Sequence, residues 1–201
     1  MTWITNGGLP EQQGLYDSAN EIDSCGVGFI CDIKGRASHQ IVADAAHMNC
    51  CMEHRGGVGY EKNTGDGAGI LTGMPHRLLS EIAREELEIE LPQPGAYGVG
   101  NVFMPVDADE RARCKAAFEE QIAAAGQTLL GWRVVPTDPE NADLGKAARA
   151  AMPHFEQLFI GANGIEGDDF ERKLYLIRKH TTLLLRGDSS LAQRKMLYVC
   201  S

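Results

Sequence analysis

Asp23-Ser24-Cys25-Gly26-Val27-Gly28-Phe29-Ile30 is the stretch on which the reading of this chain turns. A cysteine stands directly before an apolar run, and the 24 residues ahead of it look disposable. If they were removed, Cys25 would carry a thiol and a free α-amine on one residue. An α-amine titrates at about 7.7–8.0, so near neutral pH it can accept the thiol proton. An N-terminal amine can thus do the work for which a side-chain base is normally recruited. The leader fits removal. It holds Glu11, Asp17, Glu21 and Asp23 with no Lys or Arg, is broken by Gly7, Gly8, Pro10 and Gly14, and shows no apolar period. It lacks the positive start and apolar run of a signal peptide. Two readings stay open: an acidic N-terminal tail, or a propeptide over residues 1–24.

Outward from Cys25, residues 26–33 read as a largely buried strand. Lys34-Gly35-Arg36 turns the chain, and Ser38 caps a helix over 39–52 with Ile41, Val42, Ala45, Ala46 and Met52 on its apolar side. Residues 53–67 form a glycine-rich loop, 68–74 a second strand, and Pro75 opens a helix through about 87. Residues 97–104 read as a strand with Val99, Val102 and Phe103 as core candidates. Asp107 and Glu110 have capping-box spacing ahead of a helix that runs to Gly126. A strand over 128–135, a short helix over 144–151 and a strand over 155–162 follow. Asp168 or Asp169 caps a helix to about 186, with Phe170, Leu174, Ile177 and Leu184 inward. Residues 195–201 begin another apolar strand. The sequence stops inside it, so Ser201 reads as a truncation point, and the chain alone is expected to be inactive.

Composition bounds the function. The length of 201 residues, 43% hydrophobic and 23% charged content suit one globular domain. A formal charge of −9 argues against nucleic acid or an anionic membrane as partner. No apolar run approaches the roughly 20 residues that span a bilayer. The six cysteines form no C-x-x-C pair. Without an export signal they read as reduced thiols of a cytoplasmic protein. His47, Cys50, Cys51 and His54 could share a helical face, but zinc sites usually draw ligands from two segments. Small buried cysteines are the preferred reading, with no metal.

Three segments carry the chemistry: Cys25-Gly26-Val27-Gly28-Phe29, Glu53-His54-Arg55-Gly56-Gly57 and Asn63-Thr64-Gly65-Asp66-Gly67-Ala68-Gly69-Ile70. Together they resemble the class II glutamine amidotransferase domain at the N-terminus of the glutamate synthase large subunit. Gly131-Trp132-Arg133-Val134-Val135-Pro136 and Phe170-Glu171-Arg172-Lys173-Leu174-Tyr175-Leu176-Ile177-Arg178-Lys179 are similar to further stretches of that family. The resemblance implies an α+β N-terminal-nucleophile (Ntn) hydrolase fold, an αββα four-layer sandwich incomplete at its C-terminus. It implies a propeptide over 1–24, an amidotransferase domain over 25–201, and L-glutamine hydrolysed to glutamate and ammonia through a Cys25 thioester. In the full-length family protein the ammonia converts 2-oxoglutarate to glutamate. FMN and an iron–sulfur cluster lie in a separate domain there, with a small subunit or ferredoxin as electron donor.

The residues suit these roles. A zwitterionic substrate needs a cation for its α-carboxylate. Arg55 offers a planar fork, and Gly56 beside it allows close approach. Asp66, between glycines, orders the loop around the substrate or merely closes a turn. His54 reads as structural, because the α-amine already supplies the base. The family's oxyanion Asn-Gly pair is expected beyond Ser201, and Asn163-Gly164 reads as a turn. The competing functions are another Ntn amidohydrolase, an inactive fragment, and a non-catalytic thiol or metal module built on Cys31, Cys50 and Cys51.

Overall fold

The computed structural model describes residue 14, residues 26–52, residue 61 and residues 67–201. Residues 1–24 and Cys25, Arg55, Gly56 and Asp66 lie outside the described residues. The chain divides into two compact units: residues 1–72 with 143–148, and residues 73–142 with 149–201.

The second unit is built on an antiparallel sheet. β1 (Tyr97–Met104), β2 (Thr128–Val134), β3 (His154–Gly161) and β4 (Tyr198–Cys200) lie in the order β2-β3-β1-β4. Side chains alternate across a strand, so β1 serves two faces. Val102 and Met104 point with Leu158 and Ile160 into the main core, against Cys114, Phe118 and Ile122 of α3 (Ala108–Ala124) and Ile177 and Leu185 of α5 (Gly167–Gly187). Tyr97 and Phe159 face the other way, against Leu79 of α2 (His76–Leu87), with Val99 half-buried beside them. The alternation corrects the expected core set. Val102 is fully buried, whereas Phe103 stacks on Phe155 at 4.5 Å on the opposite face.

The helix ends follow from local chemistry. Asp107 accepts from Glu110 N at 2.9 Å, half of the expected capping box. The other half is redirected. The Glu110 carboxylate accepts from Ala192 N at 2.7 Å and Gln193 N at 2.9 Å, and Gln193 Oε1 accepts from Asp107 N at 3.1 Å. The start of α3 and the segment leading to β4 therefore cap each other. α3 ends in a Schellman motif at Gly126, whose φ is +74°, with Gln127 N bonded to Ile122 O at 3.0 Å. α5 departs from expectation. Its N-cap is Glu166, with Asp168 and Asp169 inside the first turn, where negative charge suits the helix N-terminus. Its buried stripe is Phe170, Ile177, Thr181 and Leu185, while Leu184 is exposed. Thr181 tolerates burial because its hydroxyl donates to Ile177 O at 2.8 Å.

α2 is tied to the sheet by charge as well as by packing. Arg133 Nε and Nη2 donate to the two oxygens of Glu86 at 2.7 and 2.8 Å, and Nη1 donates to Gln157 Oε1 at 3.0 Å. On the other face Glu156 is buried between Lys115 Nζ at 2.9 Å and His154 Nε2 at 3.0 Å. No helix among the described residues is long and apolar enough to cross a membrane.

The first unit corrects the reading most. Residues 26–33 and 68–74 form no strand. A strand needs a neighbour for its backbone groups, and among the described residues neither segment has one. Val27, Phe29, Ile33 and Leu71 are more than four-fifths exposed. α1 (His39–Cys51) forms as expected, with Ser38 Oγ accepting from Ile41 N at 3.4 Å. None of its residues is buried, so its apolar side is not a core face. α4 (Lys146–Ala151) is two residues shorter at its start than expected.

Candidate functional site

The expected site hangs on two stretches, the segment after Cys25 and the glycine-rich loop that carries Arg55, Gly56 and Asp66. The expected site residues themselves lie outside the described residues, as does His54. What is described is how the chain next to them is held.

The segment after Cys25 approaches α1 at Gly28. A Cβ on Gly28 would fall 2.5 Å from Met48 Sδ, so glycine lets this backbone approach the helix. The chain then reverses at Asp32. Its carboxylate accepts from Lys34 N at 2.7 Å and from Arg36 Nη2 at 2.7 Å, and Gly35 takes φ +69°. The Arg36 guanidinium holds the Asp32 carboxyl below its usual range. This turn delivers the chain to the Ser38 cap.

Of the glycine-rich stretch, Glu61 is described, and it makes a long-range contact. The Glu61 carboxylate accepts from Ala147 N at 2.9 Å and Ala148 N at 3.4 Å, at the start of α4. Sequence reasoning missed this contact. The partners are 86 and 87 residues apart, and neither carries a local signal.

The expected buried cysteines divide. Cys114 is buried, and burial pushes its thiol up to about 11. Cys31, Cys50, Cys51 and Cys200 are exposed. This overturns burial for Cys50 and Cys51, because α1 presents no core face. Cys51 Sγ lies 3.7 Å from His47 Nε2. Among the described residues no three His, Cys, Asp or Glu side chains converge as metal ligands.

Asn163-Gly164 is a bend between β3 and α5, with Gly164 at φ +78° and Asn163 N donating to Gln127 Oε1 at 3.3 Å. It is the turn expected. In the second unit a cavity of about 340 Å³ opens between α5 and the β1–β4 side of the sheet. Gly98 and Gly100 leave room for it, and Leu174 packs so near Gly98 that a Cβ there would fall 2.6 Å from its Cδ1. Its lining is mainly apolar, with Glu171 and Arg178 among its polar groups. Arg178 is engaged with Ser201 Oγ at 3.3 Å.

The class-II glutamine amidotransferase family matches residues 25–201, a span that begins at Cys25. The chain belongs to that family. Its relatives are more particular. It is 40% identical to the NADH glutamate synthase of Schizosaccharomyces pombe over 97% of this chain and 9% of that protein. It is 40% identical to the large chain of the NADPH glutamate synthase of Bacillus subtilis over 88% of this chain and 11% of the relative. A ferredoxin-dependent glutamate synthase of Synechocystis is 37% identical over 90% of this chain and 11% of its own length. The chain thus spans about a tenth of the glutamate synthases that it matches.

Proposed function

We propose that this chain is the glutamine-hydrolysing part of a glutamate synthase, with Cys25 as an N-terminal nucleophile once residues 1–24 are removed. The observation that carries the reading is the family match that starts at Cys25 itself. The α-amine of Cys25 takes the thiol proton, and the sulfur attacks the side-chain amide carbon of glutamine. The amine returns the proton to the leaving nitrogen, so ammonia departs and a glutamyl thioester remains. Water then cleaves the thioester, releasing glutamate and restoring the thiol. Arg55 grips the α-carboxylate bidentately, Gly56 gives it room, and Asp66 orders the loop.

The fold proposed for the complete domain is the four-layer αββα sandwich. The sheet of the second unit, with α2 on one face and α3 and α5 on the other, is compatible with its layering of helices on sheet. The ammonia is proposed to convert 2-oxoglutarate to glutamate elsewhere in a longer protein, in the cytoplasm. The electron donor there would be a small subunit or ferredoxin; NADH, NADPH and ferredoxin all appear among the relatives' names. FMN and an iron–sulfur cluster are proposed to belong to another part of that longer protein; a cluster needs convergent thiolates, and among the described residues no three metal-ligating side chains gather.

Intact mass and N-terminal sequencing of the active protein should show Cys25 first. Cys25→Ala should abolish glutamine turnover and labelling by diazo-oxo-norleucine, while alanine at Cys31, Cys50 or Cys51 should leave labelling intact. Labelling that follows one of those three cysteines would move the nucleophile, and a Met1 terminus in active protein would remove the free-amine base.

A further inference from the structure

We propose that the cavity between α5 and the β1–β4 side of the sheet is a binding site for an apolar dipeptide, held through both of its charged ends. All of the lining belongs to the second unit, and the proposal is independent of the reading of Cys25. The volume of about 340 Å³ lies in the ordinary range of small-molecule pockets. Phe118, Leu158, Ile177 and Val199 give it apolar walls.

Glycine keeps the space open. Gly98 and Gly100 both line the cavity from β1. At Gly98 the room is taken by Leu174, whose Cδ1 would lie 2.6 Å from an added Cβ. Gly100 differs. Its φ is not positive, and an added Cβ would meet Val199 Cγ1 at 3.6 Å and Ser201 Cβ at 3.8 Å, which are ordinary contacts. Neither backbone conformation nor crowding demands glycine there. Glycine weakens a strand interior, and a position of this kind fits the close approach of a ligand.

Charge sets the chemistry of that ligand. Glu171 and Arg178 line the cavity from α5, seven residues apart and so on one face of the helix. Among the described residues neither forms an ion pair. Arg178 donates to the Ser201 hydroxyl at 3.3 Å and lies 5.6 Å from the centre of the Tyr175 ring. A zwitterion with an apolar body complements both charges. Seven residues of helix set their Cα atoms about 10.5 Å apart. The two charges of a single α-amino acid sit on one carbon, too close together to bridge that span. A dipeptide puts about 3.8 Å more between them, and each charge-assisted bond adds about 2.8 Å. Its ammonium donates to Glu171, its carboxylate accepts from Arg178, and its two side chains enter the cavity.

Leucyl-leucine is the probe, titrated calorimetrically into the purified protein. It should bind and raise the melting temperature. N-acetyl-leucyl-leucine lacks the ammonium and leucyl-leucinamide lacks the carboxylate. Each should bind about tenfold more weakly or worse, the loss of one charged hydrogen-bond partner. Glycyl-glycine, with both charges and no apolar body, should not bind. Arg178→Gln should make leucyl-leucine no better than its amide, and Glu171→Gln should make it no better than its acetyl form. Gly100→Val fills the space with a residue suited to a strand and should abolish binding. If that variant fails to fold, the capped peptides and the two charge variants decide the matter. Absence of leucyl-leucine binding would overturn the proposal. So would equal binding of the capped peptides, unchanged binding in Arg178→Gln and Glu171→Gln, or binding that survives in folded Gly100→Val.

Discussion

The two units of this chain start from similar sequence signals and end differently. Residues 26–33 and 97–104 are both short runs rich in Val, Phe, Ile or Met and interrupted by glycine. In the second unit the run becomes β1. It pairs with β3 over eight residues and with β4 over three, and it buries Tyr97, Val102 and Met104. In the first unit the run has no ladder partner among the described residues, and Val27 and Phe29 stay exposed. Apolarity states that a segment gains by burial. It does not state which neighbour provides it.

The sharpest way to break this contrast is thiol chemistry, since the thiolate is the reactive form. Cys114, buried behind α3 with its thiol pushed up to about 11, should resist alkylation at pH 8 until the protein unfolds. Cys31, Cys50 and Cys51, exposed in the first unit, should react in the native state. Mass spectrometry of a timed iodoacetamide reaction should show rates apart by orders of magnitude. Equal rates would erase the difference in burial on which the comparison stands.

Stability gives a smaller and more graded contrast. Phe118 is 1% exposed in the main core, and Phe118→Ala should cost about 3–5 kcal/mol in denaturant unfolding. Phe29 is 87% exposed, and Phe29→Ala should stay within about 0.5 kcal/mol. A large loss at Phe29 would mean that the first unit buries its apolar run after all.

The smallest effect is in acid, and it separates a local pair from a tertiary one. Arg133 holds the Glu86 carboxyl below its ordinary value, and Arg36 does the same to Asp32. A depressed carboxyl contributes stability that is present above its unfolded pKa and lost as pH falls through the folded one. The Glu86 pair joins residues 47 apart and exists only in the folded chain. Asp32 and Arg36 are four residues apart, so the unfolded chain can retain much of that pair. Glu86→Gln should therefore flatten the loss of stability below about pH 4.5 more than Asp32→Asn. Melting temperatures across pH 3–6 check the order, and a reversal would place the acid-sensitive contacts in the turn.

Much of the second unit was legible because its signals are local. Ser38, Asp107 and Gly126 mark helix ends through bonds made within a few residues. The alternation of β1 and the stripe of α5 follow from strand and helix periods, though placing Leu184 inward in place of Leu185 missed the stripe by one residue. The proposed chemistry rests on residue types in order: Cys25 before an apolar run, then Arg55 and Asp66 among glycines. The family match is compatible with that order, since it begins where the nucleophile was placed.

By itself the sequence determined the helices, the apolar runs that include β1, β2 and β3, the turn at Asn163-Gly164 and the family. Each of these is written in contacts a few residues long or in a motif of fixed spacing. Only the tertiary structure decided which apolar runs find a strand partner, and that Glu110 caps Ala192 and Gln193. It also decided that Arg133 closes on Glu86, and that Glu61 reaches the start of α4. These contacts span from 47 to 87 residues. Their free energy depends on groups brought together by folding, and no local pattern of side chains announces such a meeting.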